Sequence, residues 1–293
     1  MRSAATTQTP RGPAIGHSEC GDARGFPVVY CHGTPGSSVE CSFVQAAAQG
    51  HGLRLIAPDR PGYGATDPAY EMSHAAWAQA VMALLWRLGI TRYVLLGISG
   101  GAPNALALAA ADGARVVALS LVCPLGPLAI PELAHATHPF VRCLLRWQRR
   151  NPLVLDWLLL RPAAAIGRSL PRLAVACMRL YNGRADRECL GRAAVVDLLA
   201  KNLQRAFQQG SAGLVRDLRL MNRPWDFALT GISVPVKLWH GTADLLLLST
   251  HSAWIAAQLP QAELELVPGA GHFSLPLDHV EAILRELKTA VVP

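Results

Sequence analysis

Over the first 124 residues, short apolar runs alternate with stretches whose apolar positions recur at helical spacing. That alternation builds a parallel sheet covered by helices on both faces. Pro27 to Cys31, Leu53 to Ala57, Arg92 to Leu96 and Val116 to Cys123 are predicted as strands. Between them, Trp77, Val81, Leu84, Leu85 and Leu88 share one face of a predicted helix over Ser73 to Leu88, with Ser73 as N-cap and Gly89 as the stop. The pattern resumes with strands at Val234 to His240 and Glu263 to Val267 and helices at Thr250 to Leu259 and Val280 to Val291. From about Leu125 to Pro224 it gives way to helical patterns punctuated by prolines, without a convincing buried strand. The expected fold class is α/β, a mostly parallel sheet flanked by helices. Residues 1–124 and 225–293 form its core, and 125–224 an inserted helical cap. No fixed-period repeat or low-complexity tract is visible.

Composition narrows the class. With 51% hydrophobic and 16% charged residues the chain is too apolar for disorder, and 25 glycines and 7 cysteines in 293 residues exclude collagen-like and disulfide scaffolds. The most lipophilic stretch, Leu153 to Leu160, is interrupted by Asp156 and stopped by Arg161 and Pro162, so no membrane span is expected. Met1 to Gly16 has no apolar signal-peptide region, and the odd number of cysteines contains no C-x-x-C. A cytoplasmic location with reduced thiols is the expectation.

The formal charge of +7 is unevenly spread. Leu125 to Pro224 carries 16 Lys+Arg against 6 Asp+Glu, leaving a mildly acidic core. Arg142, Arg146, Arg149 and Arg150 fall on one helical face. A solvated face is the plain reading; contact of the basic cap with anionic membrane, or a clamp on acidic substrate or nucleic acid, are the others. No nucleic-acid-binding motif accompanies these arginines, so nucleic acid is not expected as a partner.

Gly97-Ile98-Ser99-Gly100-Gly101 follows an apolar strand and precedes a helical run, Ala102 to Ala111, the context a nucleophile elbow requires. His32-Gly33-Thr34-Pro35-Gly36 follows the strand at Pro27 to Cys31, at the carboxyl end where α/β sheets bind ligands. The N–H groups of Gly100 and Thr34 are the candidate oxyanion donors. A serine needs a base and an orienting acid. His272, in a glycine-rich loop after a predicted strand, is the candidate base, ahead of His240 and His279. Asp244, a few residues past a strand end, is the candidate acid, whereas Asp226 and Asp278 lack that placement.

Together with Asp59-Arg60-Pro61-Gly62-Tyr63-Gly64, these motifs resemble the α/β-hydrolase superfamily, Ser-His-Asp type with a helical cap. The resemblance implies an eight-stranded, mostly parallel sheet and a triad acting on esters, lactones, amides or certain carbon-carbon bonds. Members that open epoxides or remove halides usually carry aspartate where Ser99 stands, which disfavours those activities. Proline-releasing peptidases usually have glycine at the position of Thr34. The family often has valine-proline after the acid, whereas Leu245-Leu246-Leu247-Leu248 follows Asp244, and the chain before Pro27 is short for the usual first strand and hairpin.

The expected function is a serine hydrolase cleaving a carboxylic ester, lactone or thioester with a hydrophobic part through an acyl-enzyme, with no metal or organic cofactor. Two alternatives are a proline-type aminopeptidase or amidase on the same triad, and a small-ligand receptor or interaction protein with little turnover. Gly62-Tyr63-Gly64 has Asp67 where a dinucleotide fingerprint needs glycine, so it reads as a turn. Glu132, His135 and His138 have metal-like spacing, but Pro131 and Pro139 flank them and no second ligand cluster is near, which favours a surface segment.

Overall fold

A computed structural model describes residues 2–9, 12–69 and 73–291. Strands β1 (Arg2–Thr9), β2 (Gly12–Gly21), β3 (Phe26–Cys31), β4 (Leu53–Pro58), β5 (Tyr93–Ile98), β6 (Val116–Val122), β7 (Val236–Gly241) and β8 (Ala262–Val267) form one sheet. Their order is β1-β2-β4-β3-β5-β6-β7-β8. Strands β3 to β8 run parallel, β2 lies antiparallel to β4, and β1 antiparallel to β2.

The central strands are continuous apolar runs because helices cover both faces. Val29, Leu95 and Leu121 pack with the helices His74–Arg87 and Ala102–Ala111, while Val28, Val94 and Leu55 face Ala48 and the Val280–Thr289 helix. Successive side chains thus feed opposite cores, as the period of a strand requires. Ser73 caps its helix by accepting from the Ala76 N–H at 3.2 Å, and Gly89, at φ 69°, ends it.

The chain before Pro27, short for the usual first strand and hairpin, nevertheless forms both, as β1 and β2. The segment Gly12–Gly21 is rich in glycine and polar residues and gives little apolar signal. Its place comes from backbone pairing with β4, from His17 opposite Pro58 to Gly21 opposite Arg54, and from buried Ile15.

Between β6 and β7 the described residues hold helices and no strand, apart from an isolated bridge of Thr137 to Leu247. Pro131, Pro139, Pro152, Pro162 and Pro171 each lie in the first turn of a helix. Pro131, Pro139, Pro152 and Pro171 therefore open helices, where a missing N–H costs nothing, whereas Pro162 follows a π turn inside a continuous helical run from Pro152 to Ser169. These helices have cores of their own, one around Leu133, Leu145, Leu160 and Leu218 and another around Val175, Leu199 and Phe207.

Candidate active site

Ser99 follows the last residue of β5 at φ 50°, a left-handed turn that lifts its hydroxyl out of the strand direction before the Ala102–Ala111 helix begins. Such strain in a non-glycine residue persists only where surrounding structure enforces it. Ser99 Oγ lies 2.9 Å from His272 Nε2, and His272 Nδ1 lies 2.7 Å from Asp244 Oδ2. The serine hydroxyl donates to the imidazole, and the imidazole N–H donates to the carboxylate. Three residues separated by up to 173 positions thus form one hydrogen-bond chain.

The leucine run after Asp244 supports this geometry. The N–H groups of Leu246 and Leu247 donate to Asp244 Oδ1 at 2.8 and 2.9 Å, which fixes the carboxylate while Oδ2 takes the imidazole. Leu247 itself is buried among the inserted helices. Burial alone would raise the pKa of Asp244, but the His272 charge and hydrogen bond outweigh it and hold the carboxyl below its usual range. For His272 burial acts downward, and the Asp244 carboxylate, with help from Asp186 and Glu40, raises the imidazole above its usual value.

Of the other candidates only His240 borders the site, its Nε2 3.5 Å from Asp244 Oδ2. His240 is fully buried; its Nε2–H donates to the Leu247 carbonyl at 2.9 Å, which leaves Nδ1 to accept from Ser252 Oγ at 2.7 Å. Burial pushes its pKa down, so it is a neutral structural group. His279 starts the last helix, Asp278 pairs with Arg192, and Asp226 accepts from the Ala75 N–H. His135 hydrogen-bonds the Pro131 carbonyl and His138 caps its own helix, so the spaced histidines are engaged locally. One group of possible metal ligands, Cys123, Asp244 and His272, overlaps the serine's partners. It fits a metal poorly: Asp244 and His272 already bind each other, and burial raises the Cys123 thiol well above its usual pKa, keeping it protonated.

Thr34 and Gly100 are adjacent. A side chain at position 100 would meet Thr34 Oγ1 at 2.4 Å, so glycine is what allows the two loops to touch. The Thr34 N–H has no acceptor among the described residues. Its direction is set by the peptide it shares with the Gly33 carbonyl, because a planar trans peptide points the two groups apart. Arg60 Nη2 holds that carbonyl at 2.9 Å, while Nη1 holds the His32 carbonyl. Arg60 is in turn paired with Asp217 at 2.7 Å, both almost wholly buried. Asp217 also accepts from Thr34 Oγ1 at 2.6 Å and Tyr63 Oη at 3.0 Å.

Sequence reasoning missed Asp217 and gave Arg60 no role beyond its motif. It also missed Asp186. That carboxylate, fully buried on the inserted Arg184–Cys189 helix, accepts from the N–H groups of His272, Phe273 and Ser274, each at 2.9 Å. Gly271 leaves the room, since a Cβ there would lie 2.4 Å from the carboxylate. No spacing rule links these acids to loops 86 and 183 residues away. The available signal was only that they are among six acids in a strongly basic segment.

The sequence model of the alpha/beta hydrolase fold family matches residues 27–278. The chain belongs to that family. This α/β hydrolase is 29% identical over 222 residues to a pimeloyl-[acyl-carrier protein] methyl ester esterase of Aromatoleum aromaticum (strain DSM 19018 / LMG 30748 / EbN1), covering 75% of the chain and 81% of the relative. It is 33% identical over 127 residues to a non-heme chloroperoxidase of Streptomyces lividans, a match spanning 43% of the chain and 46% of that relative's length. Among solved structures, a bromoperoxidase from Bacillus anthracis superposes with a TM-score of 0.73 at 17% identity, covering 99% of this chain and 100% of that one. At that identity the likeness is one of fold.

Proposed function

We propose that the protein is a serine esterase acting on carboxylic esters with a hydrophobic acyl part. Ser99 Oγ attacks the ester carbonyl while His272 Nε2 takes its proton, and the Gly100 and Thr34 N–H groups bind the resulting oxyanion. His272 returns the proton to the departing alcohol, leaving an acyl-Ser99. Water then attacks the acyl carbon as His272 removes its proton, and that proton passes to Ser99 as the acid leaves. Asp244 holds the imidazole tautomer throughout. The unbroken chain from Ser99 through His272 to Asp244 is the observation that carries this reading.

Beside Gly100, Leu125, Leu128, Met221 and Trp225 give an apolar wall, with His74, Asn104 and Asp217 on its polar side, and the space between them is too small to seat an acyl group without movement of these side chains. Larger surface hollows, such as that around Glu188, Arg192 and His279, lie off the Ser99 hydroxyl. The relative named as a methyl ester esterase supports ester over amide chemistry. We further read residues 125–224 as a cap that completes the core, because its Asp186 and Asp217 grip the histidine and oxyanion loops.

Short p-nitrophenyl esters should be hydrolysed, with the Ser99→Ala protein as blank. Faster turnover of proline p-nitroanilide than of any ester would replace the ester reading with the peptidase one.

The base must be neutral to accept the serine proton, and His272 is held above the ordinary imidazole pKa. The acid limb of kcat/KM is therefore expected above about pH 6.5. Removing the Asp186 charge in Asp186→Asn takes away part of what raises it, so the limb should move to lower pH. A limb unmoved in a folded Asp186→Asn protein would show that the carboxylate does not act on the base.

A further inference from the structure

The inserted segment exposes large apolar side chains to solvent. The helix Pro152–Leu155, a π-helical turn at Asp156–Leu160 and the helix Arg161–Ser169 follow one another without a break. The π turn keeps Leu155 and Leu160, five residues apart, on the same buried side, followed by Ala164 and Gly167. That single narrow stripe anchors the rod. The opposite side presents Leu153, Trp157 and Leu158 to solvent, 75, 62 and 69% exposed. Leu170 and Leu173, past the end of the rod, are also exposed, at 57 and 50%. Scattered apolar residues on a surface need no explanation, but three large ones on the outer side of a single rod mark an interaction site.

Charge identifies the partner. Residues 139–181 carry eight arginines, no lysine and a single acid, Asp156, which pairs with Arg161. Arg146, Arg149 and Arg150 are exposed on the Pro139–Arg150 helix that leads into the rod, as the sequence pattern predicted, while Arg142 is partly buried. No carboxylate among the described residues pairs with Arg146, Arg149, Arg150 or Arg168. The Arg161 guanidinium lies 3.9 Å from the ring centre of Trp157, so the central apolar group is itself capped by a cation. Two copies of this face brought together by a two-fold axis would set arginine against arginine. Anionic headgroups satisfy the arginines while the acyl boundary takes up the leucines and the indole.

We propose that this face docks on an anionic lipid surface, the rod lying in the headgroup plane with Leu153, Trp157 and Leu158 inserted. No helix among the described residues is long and apolar enough to cross a membrane, so the contact is peripheral. It carries the hydrolase to where hydrophobic esters partition.

The test is sedimentation of the 293-residue chain with vesicles of phosphatidylcholine alone or of equimolar phosphatidylcholine and phosphatidylglycerol. Binding to the anionic vesicles is expected to be at least about tenfold tighter than to the neutral ones, and to weaken as the Debye length falls from ~10 Å at 0.1 M salt to ~3 Å at 1 M. The exposed triple variant Leu153→Ser, Trp157→Ser, Leu158→Ser should lose vesicle binding at least tenfold while hydrolysing soluble esters as before. No sedimentation with anionic vesicles at low salt would overturn the proposal, as would equal binding by the triple variant. A dimer that the triple variant converts to monomer, without vesicle binding, would assign the face to a second copy instead.

Discussion

Ser99→Ala is expected to lower kcat for ester hydrolysis by about 10⁴- to 10⁶-fold while leaving the thermal midpoint nearly unchanged. The hydroxyl is the only group removed, and it lies partly exposed in a site whose packing is made by other residues. The size follows from the way triad members act as a unit, the residual rate coming from the oxyanion donors and binding. His272→Ala should fall in the same range, and the double variant should be scarcely worse than either single one. Multiplicative losses in the double variant would mean that the two groups act independently, contrary to the 2.9 Å hydrogen bond between them.

Asp217→Ala is expected to damage both stability and rate. Arg60 and Asp217 are almost wholly buried, and removing the acid leaves a guanidinium without its counter-charge. Breaking such a pair from one side costs about 3–5 kcal/mol. Arg60 then loses the anchor that lets it hold the Gly33 carbonyl, and the Thr34 N–H on the same peptide loses its aim. Losing one oxyanion donor lowers kcat by about 10²–10³. Denaturant midpoint and kcat, the latter measured well below the unfolding transition, separate the two effects. Lower stability with unchanged kcat would show that the pair holds the inserted helices down without orienting the donor.

Much of the sheet was legible because its central strands are buried on both sides and its helices carry one-sided apolar stripes. Ser99 stood out because strand, glycine, serine, glycine and helix are contiguous in sequence. The first hairpin did not stand out: β2 takes its place through backbone pairing, which leaves no side-chain period to read. Asp186 and Asp217 were equally silent, since each acts on a loop brought near only by the folding of the inserted helices. Pro131, Pro139, Pro152 and Pro171 were read as interruptions when they open helices, because a proline that ends one pattern and one that begins the next look alike in a string.

In the proposed function Ser99 is a nucleophile activated by His272. The most direct test of that role is a fluorophosphonate probe followed by peptide mass spectrometry on the wild-type, Ser99→Ala and His272→Ala proteins. Stoichiometric labelling of Ser99 in the wild type, none in Ser99→Ala and a greatly slowed reaction in His272→Ala are the expected results. An unlabelled Ser99 in folded wild-type protein, or labelling at full rate without His272, would contradict the account.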